Sequence, residues 1–239
     1  MAAAIRCGWL ECLKAINEWL KRGPDLSLRV PIKERSLEIF GNEKKLDRLR
    51  GAESLFGGQL SLAQLGCRIC PLPLPFELGP TSSRGKPVLV LENHDSWFSF
   101  CAWKMERAHY AAVAYAGGGH RKGLAYDEGF LDELLLRTGS HALCYFGDLD
   151  PAGLAIAAGT ARRRAQRNSV PLGPATSLYQ WLIQDGSHRP MKNPRPHARE
   201  DLEWLPPELR QPVETLFSAG MRIPQESLGT TVLKTLTSL

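Results

Sequence analysis

Three short apolar runs limit most sharply what this chain can fold into. They are 88–91 (Val-Leu-Val-Leu), 111–116 (Ala-Ala-Val-Ala-Tyr-Ala) and 141–146 (His-Ala-Leu-Cys-Tyr-Phe). Each is too short for a buried helix and lacks the polar alternation of a half-exposed strand, so each reads as a strand covered on both faces. Segments of helical character lie between and after them, at 96–107, 127–137 and 151–167. Alternation of this kind predicts an α/β fold with a parallel sheet, helices on both sides and right-handed crossovers.

The first part of the chain has a different character. Residues 8–22 carry Trp9, Leu13, Ile16 and Leu20 at helical spacing, and Gly23-Pro24 ends the pattern. Residues 28–41 are predicted to form short extended pieces, with Leu37 and Ile39 facing inward and Val30 and Ile32 as further inward candidates. Residues 42–49 read as a short helix with Asn42 as N-cap. Proline, glycine and serine crowd 71–87, where neither a helix interior nor a central strand is tolerated. This predicts a small α+β domain over 1–80 and a larger α/β domain over 81–239. Helices are also predicted over 177–184, 206–219 and 225–239, with a basic, proline-bearing loop at 188–197.

With 239 residues, 43% of them hydrophobic, the chain can bury a substantial core. No apolar run approaches the ~20 residues of a membrane helix. The first residues lack the charged-then-apolar build of a secretory leader, which predicts a cytoplasmic location. Six cysteines include a single CxxC, Cys67 to Cys70, and reduced thiols suit that better than a zinc site. The net charge of +5 permits a nucleic-acid partner without requiring one.

The strand ends hold the candidate chemistry. Glu92 closes the first, Gly117-Gly118-Gly119 the second, and Asp148-Leu149-Asp150 the third. In a parallel sheet these ends share the edge where ligands bind. Carboxylates gathered there repel unless a cation is present, and oxygen ligands suit Mg²⁺ or Mn²⁺. Such an ion can activate water and stabilise charge building on phosphate oxygens. Each acid also has a plainer role: Asp150 before Pro151 makes a good N-cap, Asp148 a turn acid, Glu92 a solvated strand end. The coincidence on one sheet edge favours a site. Arg121 and Lys122, after the glycines, are placed for phosphate contact. Arg163, Arg164 and Arg167 fall on one arc of the 151–167 helix, opposite Leu154, Ala158, Ala161 and Ala165. That arc is a candidate DNA-binding face or a merely solvated one. The loop bearing Arg189, Lys192 and Arg195 is a comparable candidate. Glu226 stands at a predicted helix start, a place the helix dipole alone favours.

The ordered set of Leu89-Val90-Leu91-Glu92-Asn93, the glycine turn, and Gly147-Asp148-Leu149-Asp150-Pro151-Ala152-Gly153 resembles a Toprim domain. With the segments 34–44, 92–97 and Arg222-Ile223-Pro224-Gln225-Glu226, the chain is similar to the Toprim-bearing nuclease subunits (JetD) of Wadjet anti-plasmid defence systems. These are distant relatives of the A subunit of type IIB topoisomerase. The resemblance implies a Toprim-type, Rossmann-like sheet with flanking helices, preceded by a winged-helix-like domain, and a metal-dependent DNA endonuclease. It assigns Asp148 and Asp150 to Mg²⁺, Glu92 to metal binding or acid–base work, and Glu226 to a supporting place. It also implies a homodimer and SMC-like partner subunits, although little room precedes residue 81 for the family's longer arm region. The topoisomerase relatives cut with a tyrosine in the first domain. Here all five tyrosines (110, 115, 126, 145 and 179) lie after residue 81, so hydrolysis by water is expected. A catalytically silent DNA-binding subunit and a small-molecule phosphatase are the alternative readings.

Overall fold

The computed structural model describes residues 2–51, 54–71, 73–103, 108–117, 128–193 and 196–236. The chain divides into two compact units, 1–70 and 71–239.

In the first unit, α1 (Ala2–Lys21) is followed by β1 (Val30–Pro31), α2 (Ile32–Phe40), α3 (Lys45–Leu49), β2 (Arg50–Gly51), β3 (Ser54–Leu55), β4 (Leu60–Ser61) and β5 (Cys67–Arg68). β2, β3 and β4 form a small antiparallel sheet, and β1 pairs with β5 in parallel. The buried stripe of α1 is Cys12, Ile16 and Trp19, while Leu13 and Leu20 are exposed. Ile16 and Trp9 of the predicted stripe do meet the core, while Cys12 and Trp19 take the inward places expected of Leu13 and Leu20.

Helix α2 corrects the extended pieces expected over 28–41. Its inward positions are Ile32, Arg35 and Ser36, with Ile39 and Phe40 packed against the same core. That is helical spacing, but two of the five are polar, so the apolar residues alone looked alternating. Both polar side chains find partners: Arg35 pairs with Glu38, donates through Nη2 to the carbonyls of Leu28 and Gly66, and lies 4.8 Å over the Trp19 ring, leaving only its buried Nε unbonded. The Ser36 hydroxyl donates to the Asn42 carbonyl and accepts from the Leu46 amide. Leu37, expected inside, is exposed. Cys67 is buried and donates to the Leu62 carbonyl, and Cys70 is exposed. Among the described residues no cysteine joins a metal-binding group.

The second unit is built on a five-stranded sheet. Its strands are β6 (Phe76–Leu78), β7 (Val88–Leu91), β8 (Ala112–Tyr115), β9 (Leu143–Phe146) and β10 (Leu172–Pro174), in the order β10-β9-β7-β8-β6. All neighbours are parallel except β6, which runs antiparallel to β8 at the edge. The unit boundary therefore falls near residue 70, not 80. The proline-rich stretch leads straight into an edge strand, where missing amide donors are tolerated. The three central strands lie within the three apolar runs.

Period-two alternation divides the sheet between two cores. Leu89, Leu91, Val113 and Phe146 point to one, and Val88, Val90, Ala112, Ala114 and Tyr145 to the other. The first is completed by α4 (His94–Ala102), α7 (Thr176–Asp185) and α9 (Pro207–Ser218). The second is completed mainly by α5 (Glu128–Thr138) and by Ala157 of α6 (Pro151–Gln166). The short α8 (Arg199–Leu202) contributes Leu202 to the first core. After α9 come β12 (Met221–Arg222), paired antiparallel with β11 (Arg189–Pro190), and α10 (Thr230–Leu233). The helix expected over 225–239 is a 3-10 turn at Gln225–Leu228 and then α10, with Gly229 between them. No helix among the described residues is long and apolar enough to cross a membrane.

Strand order makes β7 the pivot: the chain goes from β7 to β8 on one side, then to β9 and β10 on the other. The carboxyl ends of β7 and β9 flank the switch point where α/β sheets place ligands. Their register pairs Leu91 with Phe146, which sets Glu92 level with Gly147.

Candidate active site

The DxD segment is ordered from both ends. β9 stops at Phe146, and Leu149 forms an antiparallel bridge with Ile223, its amide donating to the Ile223 carbonyl at 2.9 Å. Leu149 is buried, so the flanking Asp148 and Asp150 turn the other way. Asp150 caps α6: its Oδ1 accepts from the Gly153 amide at 2.8 Å, and Pro151 takes the first helical position.

Asp148 is the centre of the cluster. Its Oδ1 accepts from the Gln225 amide at 2.9 Å and from Asn93 Nδ2 at 3.1 Å. Its Oδ2 accepts from Arg222 Nη1 at 3.0 Å. The same guanidinium nitrogen lies 3.9 Å from Asp150 Oδ2. Asn93 also donates to Glu226 Oε1 at 2.8 Å, which draws that exposed carboxylate to the rim. Gln225, fully buried, links the strand ends to this segment: its amide nitrogen donates to the Phe146 carbonyl, and its oxygen accepts from the Asn93 backbone.

Glu92 faces inward. Its Oε2 accepts from Tyr145 Oη at 2.9 Å and from the Asp148 amide at 3.2 Å. Burial raises its pKa to about 7; the Tyr145 hydrogen bond opposes that rise, and the charges of Asp148 and Asp150 add to it. Tyr145 and Tyr179 are both buried and held in the phenol form, chiefly by desolvation. Tyr179 Oη accepts from the Gly147 amide at 3.0 Å.

Two glycines make this fit possible. A Cβ on Gly147 would stand 2.2 Å from Glu92 Oε2, and one on Gly153 would stand 2.6 Å from the Asp148 carbonyl oxygen. Any side chain there would displace Glu92 or the DxD backbone.

Glu92, Asp148 and Asp150 thus stand together at the sheet edge where their strand-end positions put them, and Glu226, which only the resemblance added, is drawn there by Asn93. Spacing alone does not reveal Asn93, Tyr145, Arg222 and Gln225 as their partners. Arg222 and Gln225 lie 74 and 77 residues beyond the aspartate they hold. Arg121 and Lys122 lie outside the described residues. Arg164 is a correction: it is fully buried, donates to the Val170 carbonyl at 2.6 Å and pairs with Asp132 of α5. It belongs to the packed side of α6, where Leu154, Ala157 and Ala158 are also buried, while Ala165 is exposed. Arg163 donates to the Thr160 hydroxyl, and Arg167 is exposed at the end of α6.

The oxygen donors suit a hard divalent ion, and one cationic nitrogen already lies within reach of both aspartates. Asp148 and Asp150 are the pair that would share such an ion. Among the described residues no three acidic, histidine or cysteine side chains converge as one ligand group. Glu92, expected as a third ligand, instead turns to Tyr145. No family model matches the chain, and no curated protein is significantly similar to it.

Proposed function

We propose that this chain is a metal-dependent DNA endonuclease of the Toprim type, hydrolysing phosphodiester bonds at the β7/β9 edge. The observation that carries the reading is the Asp148–Asp150 pair, both carboxylates facing one cationic nitrogen beside a largely buried Glu92. Mg²⁺ or Mn²⁺, when bound there, would supply Lewis-acid stabilisation of phosphate charge.

Around it the chain's own groups have distinct tasks. Asp148 and Asp150 would hold the cation, and the Gln225 amide and Asn93 fix the orientation of Asp148. Glu92, with a pKa of about 7, can take or return a proton near neutral pH, as a general acid–base group must. Tyr145 orients it and is buried, so it does not serve as a nucleophile toward DNA. With no tyrosine before residue 81, water is the attacking group. Helices followed by a small antiparallel sheet in the first unit support the winged-helix-like reading of that unit. The resemblance to Wadjet nuclease subunits adds a homodimer, SMC-like partner subunits and a plasmid-defence role.

Incubation with supercoiled plasmid tests this. Nicking or linearisation in Mg²⁺ or Mn²⁺, none in EDTA, and protein-free ends are expected. Cleavage in EDTA, or protein covalently attached to the ends, would overturn the hydrolytic reading. The Arg222–Asp148 ion pair favours one rival, a DNA-binding subunit in which the guanidinium permanently replaces the metal. A Mn²⁺ titration separates them, since that rival binds DNA but no ion.

A further inference from the structure

A cleft of about 770 Å³ opens beside the acidic cluster, and most of its lining has no task in the site described above. Asp150 and Arg222 of that site line it together with Arg189 and Lys192 of the basic loop that sequence singled out. We propose that this cleft binds the phosphodiester backbone of DNA and leads it to Asp148 and Asp150. The proposal rests on the nuclease reading and names the residues that deliver its substrate.

The register of β11 and β12 is the first support. It sets Arg189 directly opposite Arg222. Like charges opposite one another across an antiparallel pair are destabilising. Arg222 is compensated by Asp148, but Arg189 has no carboxylate partner among the described residues. An anion in the cleft would remove that repulsion. The second support is Lys192, exposed in the same wall and likewise without a carboxylate partner among the described residues. Three cations lining one cleft offer more contacts than a single phosphate ester needs and suit a polyanion. Asp150 alone in the lining repels phosphate, and it is one of the two aspartates that would hold the metal, so a backbone bound to the cations lies in the same cleft as the site.

The outer face of α6 is a weaker candidate. Arg162 pairs with Asp201, Arg164 is buried, and Arg163 lies about 18 Å from Pro151 along the helix axis.

Binding of a fluorescent duplex oligonucleotide in EDTA tests the proposal without cleavage. Anisotropy titrations between about 50 and 200 mM salt compare the wild type, an Arg189→Ala/Lys192→Ala variant and an Arg163→Ala/Arg167→Ala variant. The cleft variant should lose about tenfold or more in affinity, and its salt dependence should flatten by about two ions. Both residues are exposed, and an unchanged melting temperature verifies the fold. Wild-type affinity in the cleft variant, or a larger loss in the α6 variant, would overturn the proposal and leave the nuclease reading standing. No DNA binding by the wild type would overturn both.

Discussion

Replacing Glu92 with glutamine removes a carboxyl group whose charged form burial disfavours while keeping an oxygen that can accept from Tyr145 and the Asp148 amide. The folded pKa of about 7 lies above the ordinary 4.5, chiefly through burial. The folded state therefore holds a proton that the unfolded state has released between those values. Stability from this group is fully present below about pH 4.5 and is lost as pH rises through about 7. The displacement corresponds to roughly 3 kcal/mol, at about 1.4 kcal/mol per tenfold. For a domain of this size that amounts to about 6–12 °C in melting temperature. Glu92→Gln escapes this loss at high pH and has nothing to escape at low pH. Thermal melts in a metal-free, chelator-containing buffer, from about pH 4 to about pH 8.5, should show the variant gaining on the wild type as pH rises. Any constant cost of the buried amide shifts the whole curve equally, so the pH-dependent part carries the test. A stability difference independent of pH would refute the claim that burial holds Glu92 protonated.

Other perturbations separate the roles of the surrounding residues. Gly147→Ala places a methyl group 2.2 Å from Glu92 Oε2, and urea titration should show a loss of about 1–3 kcal/mol or more. Tyr145→Phe deletes the hydrogen bond that opposes the rise of the Glu92 pKa, so a carboxyl-carbon NMR titration should find that pKa higher still. Arg164→Met should cost about 1–3 kcal/mol in the same urea assay through the lost bonds to Val170 and Asp132. It should leave duplex affinity unchanged, because the guanidinium is buried.

The architecture of the second unit was legible because its strands are uniformly apolar and Asp150-Pro151 marks the start of α6 without ambiguity. Legibility failed where buried positions are polar. In α2, Arg35 and Ser36 stand where a reader expects leucines, and in α6 Arg164 sits among alanines with its charge answered by Asp132. Both errors arise from treating charge as a sign of exposure, which fails when a partner and a carbonyl satisfy the group. The acids of the site could be read from strand ends because topology places those ends on one edge. Their partners could not, since Arg222 and Gln225 arrive through an antiparallel bridge at Leu149 and Ile223 that local pattern does not announce. Gly147 and Gly153 stand in the sequence only as the two ends of the Gly147–Gly153 motif. Its meaning, the room it leaves for Glu92, emerges only from the packing.

The central claim is that Asp148 anchors a metal-dependent DNA-cutting site. Cleavage of supercoiled plasmid in Mg²⁺ or Mn²⁺ by the wild type beside an Asp148→Asn variant, matched in melting behaviour, tests it most directly. The account predicts nicked or linear product from the wild type and none from the variant. Equal cleavage by both, or a wild type that cuts nothing while fully folded and metal-loaded, would contradict it.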